Sequence, residues 1–171
     1  MGVMMTVPSL RWKPGLRCGL DAGTEMETTM IDTRTTTPYA AALLRVSLGT
    51  LFLAHGALLK LFTFGLAGTM GFFGSIGYPP FLGAVVAFAE IGAGIALILG
   101  IGVRAVSLLA IPILLGATWQ HLGNGWVFNR PGGGWEFPAF WTVLLLVQAG
   151  LGAGAFAFNP LARRAAEPAM A

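Results

Sequence analysis

The chain has 171 residues, of which 56% are apolar and only 10% are charged. A soluble domain has about a quarter of its residues charged, so this composition excludes an ordinary soluble protein. The net charge of +3 comes without a basic stripe interleaved with aromatic residues, which argues against nucleic-acid binding. Cys18 is the single cysteine, so an intramolecular disulfide is excluded.

The N-terminal segment, residues 1–37, is polar and shows no helical periodicity. We predict that it is a disordered tail in the cytosol, because it lacks an apolar core of the length that a signal peptide requires. Since the apolar part of the chain starts only after this segment, Met26 and Met30 are alternatives to Met1 as the true start. A second short cytosolic tail is expected over residues 161–171.

Four apolar stretches follow, and each is about as long as a bilayer is thick. A hydrocarbon core of roughly 30 Å needs about 20 helical residues to cross it. The predicted fold is therefore all-α, a polytopic membrane domain over residues 38–160 formed by a bundle of four transmembrane helices. The predicted spans are residues 40–61, 81–103, 105–122 and 138–158.

Two further features concern how these helices are connected and packed. Residues 62–80 are rich in Gly and Phe and carry no charge, which predicts a short helix or re-entrant segment in the interface. Gly92, Ala96 and Gly100 recur at every fourth position of the second span. This stripe of small residues predicts close contact with another helix.

Positive charge predicts the orientation of the domain. Four spans place both termini on one side, and that side should be cytosolic because it holds more basic residues. These are Arg34, Arg104, Arg163 and Arg164, against Lys60 and Arg130 on the other side.

The few polar residues inside or beside the spans are the main candidates for function, because a charge in hydrocarbon is costly and is usually retained for a purpose. The topology gathers most of them in the outer half of the bundle. The predicted pocket consists of Glu90, His55, Lys60, Gln120, His121 and Gln148. Arg130 and Glu136 in the outer connection are expected to cap this pocket, whereas Arg45 lies alone in the inner half.

Helical geometry makes two expectations about this pocket specific. At α-helical spacing, His55 and Lys60 cannot both point into the bundle centre, so we expect Lys60 to reach towards the interface. Glu90 should be buried and face the first span, with His55 or Lys60 as its nearest basic neighbour.

A pocket with a carboxylate, imidazoles and amides can exchange protons with a bound quinone or a small anion. The alternative is an interhelical ion pair that locks the helices together without chemistry. In that interpretation Gln120 and Gln148 serve only as hydrogen-bonding contacts between helices. Two histidines and one mid-membrane carboxylate are a poor ligand set, so we expect no metal.

The order and spacing of several positions resemble the DoxX-like membrane proteins. The resemblance covers about residues 37–158 and leaves out both tails. It rests on Arg45-x3-Gly49-x2-Phe52-x2-His55-Gly56-x3-Lys60, on Gly77-Tyr78-Pro79-Pro80, on Glu90-x-Gly92, and on Gly125-Trp126 with Gly132-Gly133-Gly134-Trp135-Glu136-Phe137-Pro138.

This resemblance implies a four-helix, multi-pass protein of the bacterial inner (cytoplasmic) membrane. Some such proteins are subunits of a thiosulfate:quinone oxidoreductase, and others are linked to membrane complexes that handle thiol or oxidative stress. The leading hypothesis is therefore the membrane subunit of a redox assembly, with no intrinsic cofactor, a bound quinone and an oxidoreductase partner subunit.

Two alternatives stay open at this point. One is a small-anion or weak-acid permease, in which Glu90 couples protons, Arg45 is the inner charge and a homo-oligomer encloses the path. The other is a non-catalytic scaffold in the bilayer. The sequence does not decide whether the protein is an enzyme, and it names no substrate.

Overall fold

A computed structural model describes residues 33–158, and all regular structure in this range is helical, as predicted. The first helix changes from α-helical to π-helical geometry without a break. In chain order the elements are α1 (Thr33–Leu53), a π-helical segment (Ala54–Thr63), α2 (Gly65–Ser75), α3 (Phe81–Leu99), α4 (Val103–His121) with a short 3₁₀ turn (Leu122–Asn124), and α5 (Glu136–Leu151).

Within residues 33–158, three helical runs are long and apolar enough to cross a membrane, namely Thr35–Thr63, Phe81–Leu99 and Val103–Asn124. The protein is therefore a polytopic membrane protein that contacts the lipid bilayer. The bounds expected for the fourth span, residues 138–158, need correction, because it corresponds to α5, an apolar helix of only 16 residues. It ends early because Gly152 adopts a positive φ of 80°, which terminates a helix.

The start of the first helix also differs from the predicted boundary. α1 begins at Thr33, so Pro38 lies inside the helix and not at its first residue. Residues 1–32 and 159–171, which hold most of the two predicted tails, lie outside the described residues.

The short helix expected between the first two spans is present as α2, and it is fixed to both neighbours. The Thr69 hydroxyl donates a hydrogen bond of 2.8 Å to the carbonyl oxygen of Lys60 at the end of the π-helical segment. On the other side, a Cβ added to Gly83 of α3 would lie 2.9 Å from the Thr69 carbonyl oxygen. α2 therefore packs backbone against backbone on α3.

Helices α1 and α3 approach each other through Gly94. A Cβ added there would lie 2.8 Å from both the Gly49 carbonyl oxygen and the Leu53 Cγ. Gly92 has open space around it, so its predicted role in close helix packing is wrong. A strict spacing of four drifts around an α-helix, and the buried face of α3 follows the mixed spacing of Ala87, Glu90 and Gly94.

The apolar core lies between α1, α3, α4 and α5. Phe52 and Trp141 pack with their ring centroids 4.6 Å apart at its centre. The remaining buried members are Leu48, Leu97, Val103, Ala110, Leu114 and Leu145.

Candidate functional site

A buried ion pair joins the first helix to α3. The Lys60 Nζ donates hydrogen bonds of 2.9 Å and 2.7 Å to the two carboxylate oxygens of Glu90. Glu90 is only 5% exposed, whereas the Lys60 side chain is 21% exposed. The expected basic neighbour of Glu90 is thus confirmed, and the expectation that Lys60 turns away to the interface is wrong.

The π-helical segment explains that error. Residues five apart lie about 140° apart around an α-helix, but a ladder of i→i+5 hydrogen bonds brings them nearly into line. His55 and Lys60 are five apart, and both lie inside the segment. Both side chains can therefore face the interior of the bundle, Lys60 towards α3 and His55 towards α5.

The ion pair forms part of the wall of a cavity of about 300 Å³. We call this space the ion-pair cavity. Its polar lining residues are Lys60, Glu90, Tyr78, Gln120 and His121, so four of the six residues of the predicted pocket meet here. Its apolar walls come from α2 to α4 and the turn after α2: Phe72, Phe73, Ile76, Leu82, Val86, Pro112, Ile113, Gly116 and Ala117.

Asn124 binds the connection between α4 and α5 and lies beside His121. The Asn124 Nδ2 donates to the carbonyl oxygens of Gly132 and Gly133 at 3.0 Å and 2.9 Å, which identifies it as the nitrogen of the amide. It also lies 3.4 Å from the His121 Nδ1, but both of its hydrogens are already donated to the two carbonyls, so this contact does not assign the tautomer of His121. A neutral imidazole carries one N–H in either tautomer, so His121 has one N–H donor.

His55 lies outside the ion-pair cavity, and its own hydrogen bond assigns its tautomer. Its Nδ1 is 2.9 Å from the Leu51 carbonyl oxygen, which can only accept, so Nδ1 carries the hydrogen. Its ring packs against Phe137 and Trp141, with centroids 6.1 Å and 5.1 Å away. It remains close enough to Glu90 for an electrostatic interaction.

Three other predicted residues do not reach the ion-pair cavity. Gln148 is fully buried in the last turn of α5, where its Nε2 donates to the Gly152 carbonyl oxygen at 2.6 Å. Glu136 accepts a hydrogen bond of 2.8 Å from the Phe128 backbone N–H, and Arg130 is exposed in the same connection. Gln148 thus stabilises a helix end and Glu136 a folded loop. None of the three residues lines the ion-pair cavity, so their assignment to the pocket or its cap is corrected.

Arg45 lies away from the cavity, as predicted, but it is almost completely buried at 2% exposure. Its Nη2 donates to the Ala155 carbonyl oxygen at 3.2 Å, whereas Nε and Nη1 have no hydrogen-bond partner. The guanidinium packs against Gly100, directly after the last residue of α3. The partial negative charge at a helix C-terminus favours a cation at this position.

Sequence reasoning missed the aromatic side of the cavity. Phe72, Phe73 and Tyr78 come from α2 and the turn after it, which the sequence identified only as an interfacial segment. The available signal was the dense run of phenylalanines directly before a Tyr-Pro-Pro turn. Within residues 33–158, no three His, Cys, Asp or Glu side chains converge as metal ligands.

Taken together, these residues define a polytopic helical membrane protein with a polar cavity between its helices. The family model DoxX matches residues 40–123, a region that includes every residue lining the ion-pair cavity. This region of the chain is therefore similar to the DoxX family.

Part of the chain is also similar to a curated protein. Over 75 residues the chain is 43% identical to "Putative oxidoreductase CatD" of Bacillus subtilis (strain 168). The match covers 44% of this chain and 54% of that protein, so the chain spans about half the length of this relative. No solved structure matches the chain.

Proposed function

We propose that this protein is the membrane subunit of a redox assembly and that its ion-pair cavity binds the ring of a quinone. The observation that carries the proposal is the buried Lys60–Glu90 pair in the wall of an otherwise largely apolar cavity. The Bacillus subtilis relative is named as an oxidoreductase, which supports a redox role for this chain. We place the protein in a bacterial inner membrane with both termini in the cytosol.

The charge balance of the cavity favours a neutral ligand. Both Glu90 oxygens accept hydrogen bonds from Lys60, so the pair has no net charge. A small anion would meet one carboxylate for every ammonium, which makes the permease hypothesis the weaker one. A quinone ring is neutral, planar and apolar apart from its two carbonyl oxygens, and a volume of about 300 Å³ is at the lower end of ligand pockets.

The polar residues can supply what quinone reduction needs. Each ring takes up two electrons, and each of its two carbonyl oxygens takes up one proton to give the quinol. In the proposal the electrons come from an oxidoreductase partner subunit. The Lys60 ammonium donates a hydrogen bond to one carbonyl oxygen, Glu90 relays protons through Lys60, and His121 offers an N–H to the other carbonyl oxygen.

Equilibrium titration of the purified full-length chain with a benzoquinone tests the ring site. We expect saturable binding that is about tenfold weaker in Glu90→Gln, because the amide no longer holds the ammonium. Glu136→Gln is the matched control, since this carboxylate lies outside the ion-pair cavity, and it should leave the affinity unchanged. Absence of saturable binding to the unaltered protein, or an equal effect of both variants, would contradict the ring site.

Purification in mild detergent tests the assembly. The proposal expects the chain to be recovered with quinone in the extract and with a second protein that has oxidoreductase activity. Recovery of the chain alone, without either, would favour the scaffold.

A further inference from the structure

The ion-pair cavity has an apolar neighbour on the other side of the α2 phenylalanines. This second space, of about 380 Å³, lies between the π-helical segment and α2, and we call it the α2 cleft. Its walls include Leu59, Phe64, Gly68, Phe72 and Phe73, together with Lys60. Apart from Lys60 and a threonine, every lining side chain is apolar, so the cleft suits a hydrocarbon group.

The two spaces share part of their walls. Lys60, Phe72 and Phe73 line both the α2 cleft and the ion-pair cavity. The two spaces are therefore adjacent, with the ion pair on one side and the apolar cleft along α2 on the other. A molecule that occupies both spaces favourably needs a polar head and an apolar tail.

We infer that the ligand is a quinone with a hydrocarbon tail, whose ring lies in the ion-pair cavity and whose tail lies in the α2 cleft. The inference rests on the proposed function, because it takes the ring site from there, and it adds the ligand class and a second subsite. A tail-free quinone would occupy only the ion-pair cavity, and membrane lipid would then fill the α2 cleft.

The geometry of α2 makes the cleft a fixed feature. The Thr69 hydroxyl bonds to the Lys60 carbonyl oxygen, and Gly83 contacts the Thr69 backbone, so α2 is held on two sides. Space remains at Gly68, where an added Cβ would meet only the Phe64 Cβ, at 3.8 Å. A larger side chain at Gly68 would therefore occupy the cleft without disturbing the backbone packing of α2.

Gly68→Leu tests the inference, with Gly71→Leu as its matched control. Both glycines are exposed residues of α2, but Gly71 does not line the cleft and has nothing within 4 Å of an added Cβ. The affinities of a tail-free benzoquinone and of the same ring with a decyl chain are measured in one detergent for the unaltered protein and both variants. The tailed ligand partitions into micelles to the same extent in each measurement, so its effect on the affinity cancels when variants are compared.

We expect Gly68→Leu to weaken binding of the decyl ligand about tenfold and to leave the tail-free ligand unchanged. Gly71→Leu should change neither affinity. If Gly68→Leu leaves the decyl ligand unaffected, or weakens both ligands equally, the tail subsite is refuted while the ring site stands. If neither ligand binds the unaltered protein, the proposed function fails as well.

A photochemical measurement covers the case in which Gly68→Leu does not fold. A benzoquinone whose decyl chain ends in a diazirine is bound to the unaltered protein and photolysed. Attachment to the peptide that holds residues 59–73, reduced by excess unlabelled decyl ligand, supports the subsite. Attachment confined to α5, or insensitive to the competitor, overturns it.

Discussion

Burial makes the Glu90 carboxylate dependent on one partner, because both of its oxygens accept hydrogen bonds from Lys60. Removing one member of a buried pair leaves an uncompensated charge, which costs about 3–5 kcal/mol. We therefore expect Lys60→Met to lower the free energy of unfolding by about 3 kcal/mol. Unfolding of the purified protein in a fixed detergent measures this, and Arg104→Met, at an exposed arginine, is the control.

Replacing both members of the pair gives a second prediction, which separates charge from packing. In Lys60→Met/Glu90→Leu no buried charge remains, so the double variant should be more stable than Lys60→Met alone. Its quinone binding should nevertheless be lost, since both groups of the ion pair are gone from the cavity wall. A double variant that is less stable than either single one would show that Lys60 and Glu90 matter for their shape and not for their charges.

Two glycines of α3, Gly92 and Gly94, allow a comparison in which helix propensity cancels. Gly94→Ala places a Cβ against the Gly49 backbone, whereas Gly92→Ala places it in open space. Both changes gain the same backbone preference of about 1 kcal/mol for alanine over glycine. We expect Gly92→Ala to stabilise and Gly94→Ala to destabilise by about 1–3 kcal/mol in the same unfolding experiment. Equal effects would contradict the close approach of α1 and α3.

At the scale of elements, the π-helical segment determines which way Lys60 faces. Deleting one residue from it, such as the exposed Leu58, should let the segment return to α-helical geometry and turn Lys60 away from Glu90. We expect the deletion and Lys60→Ala both to abolish quinone binding, and Leu58→Ala to preserve it. Titration of the two variants measures this, and intact binding by the deletion variant would show that the π-helical geometry is not needed.

Apolar stretches of the expected length revealed three of the helices, because a bilayer imposes a length that composition displays directly. The same criterion overestimated the length of the fourth helix, α5. Residues 152–158 are as apolar as α5, but Gly152 and Gly154 adopt positive φ and the chain leaves the helix. Composition records hydrophobicity and not backbone conformation, so the end of α5 could not be read from it.

The π-helical segment lay beyond sequence reasoning for a related reason. Nothing in residues 54–63 distinguishes an i→i+5 ladder from an ordinary α-helix, and the packing of this segment against α2 and α3 is a tertiary feature that the sequence does not display. The burial of Glu90 and its basic partner could be predicted, since an ionised group in hydrocarbon needs one. The choice of Lys60 over His55, and the aromatic walls from α2, depended on this unforeseen geometry.

At the scale of the whole molecule, the orientation in the membrane follows from the placement of basic residues. We expect Asn129, in the connection between α4 and α5, to face the outside and Ile101, between α3 and α4, to face the cytosol. Asn129→Cys and Ile101→Cys, each in a Cys18→Ser background, are exposed to an impermeant thiol reagent on intact cells. Labelling of Asn129→Cys alone is the expected result, and labelling of Ile101→Cys alone would reverse the orientation.

The central claim is that a quinone ring lies against the Lys60–Glu90 pair, and infrared difference spectroscopy tests it most directly. The reconstituted protein is saturated with a decyl benzoquinone that carries ¹³C at its carbonyl carbons. We predict a carbonyl stretch at lower frequency than in the free quinone, because a hydrogen bond from the ammonium weakens the C=O bond. The shift should disappear in Lys60→Ala and persist in Arg104→Ala. A carbonyl band identical to that of the quinone in lipid alone, or a shift that survives Lys60→Ala, would contradict the account.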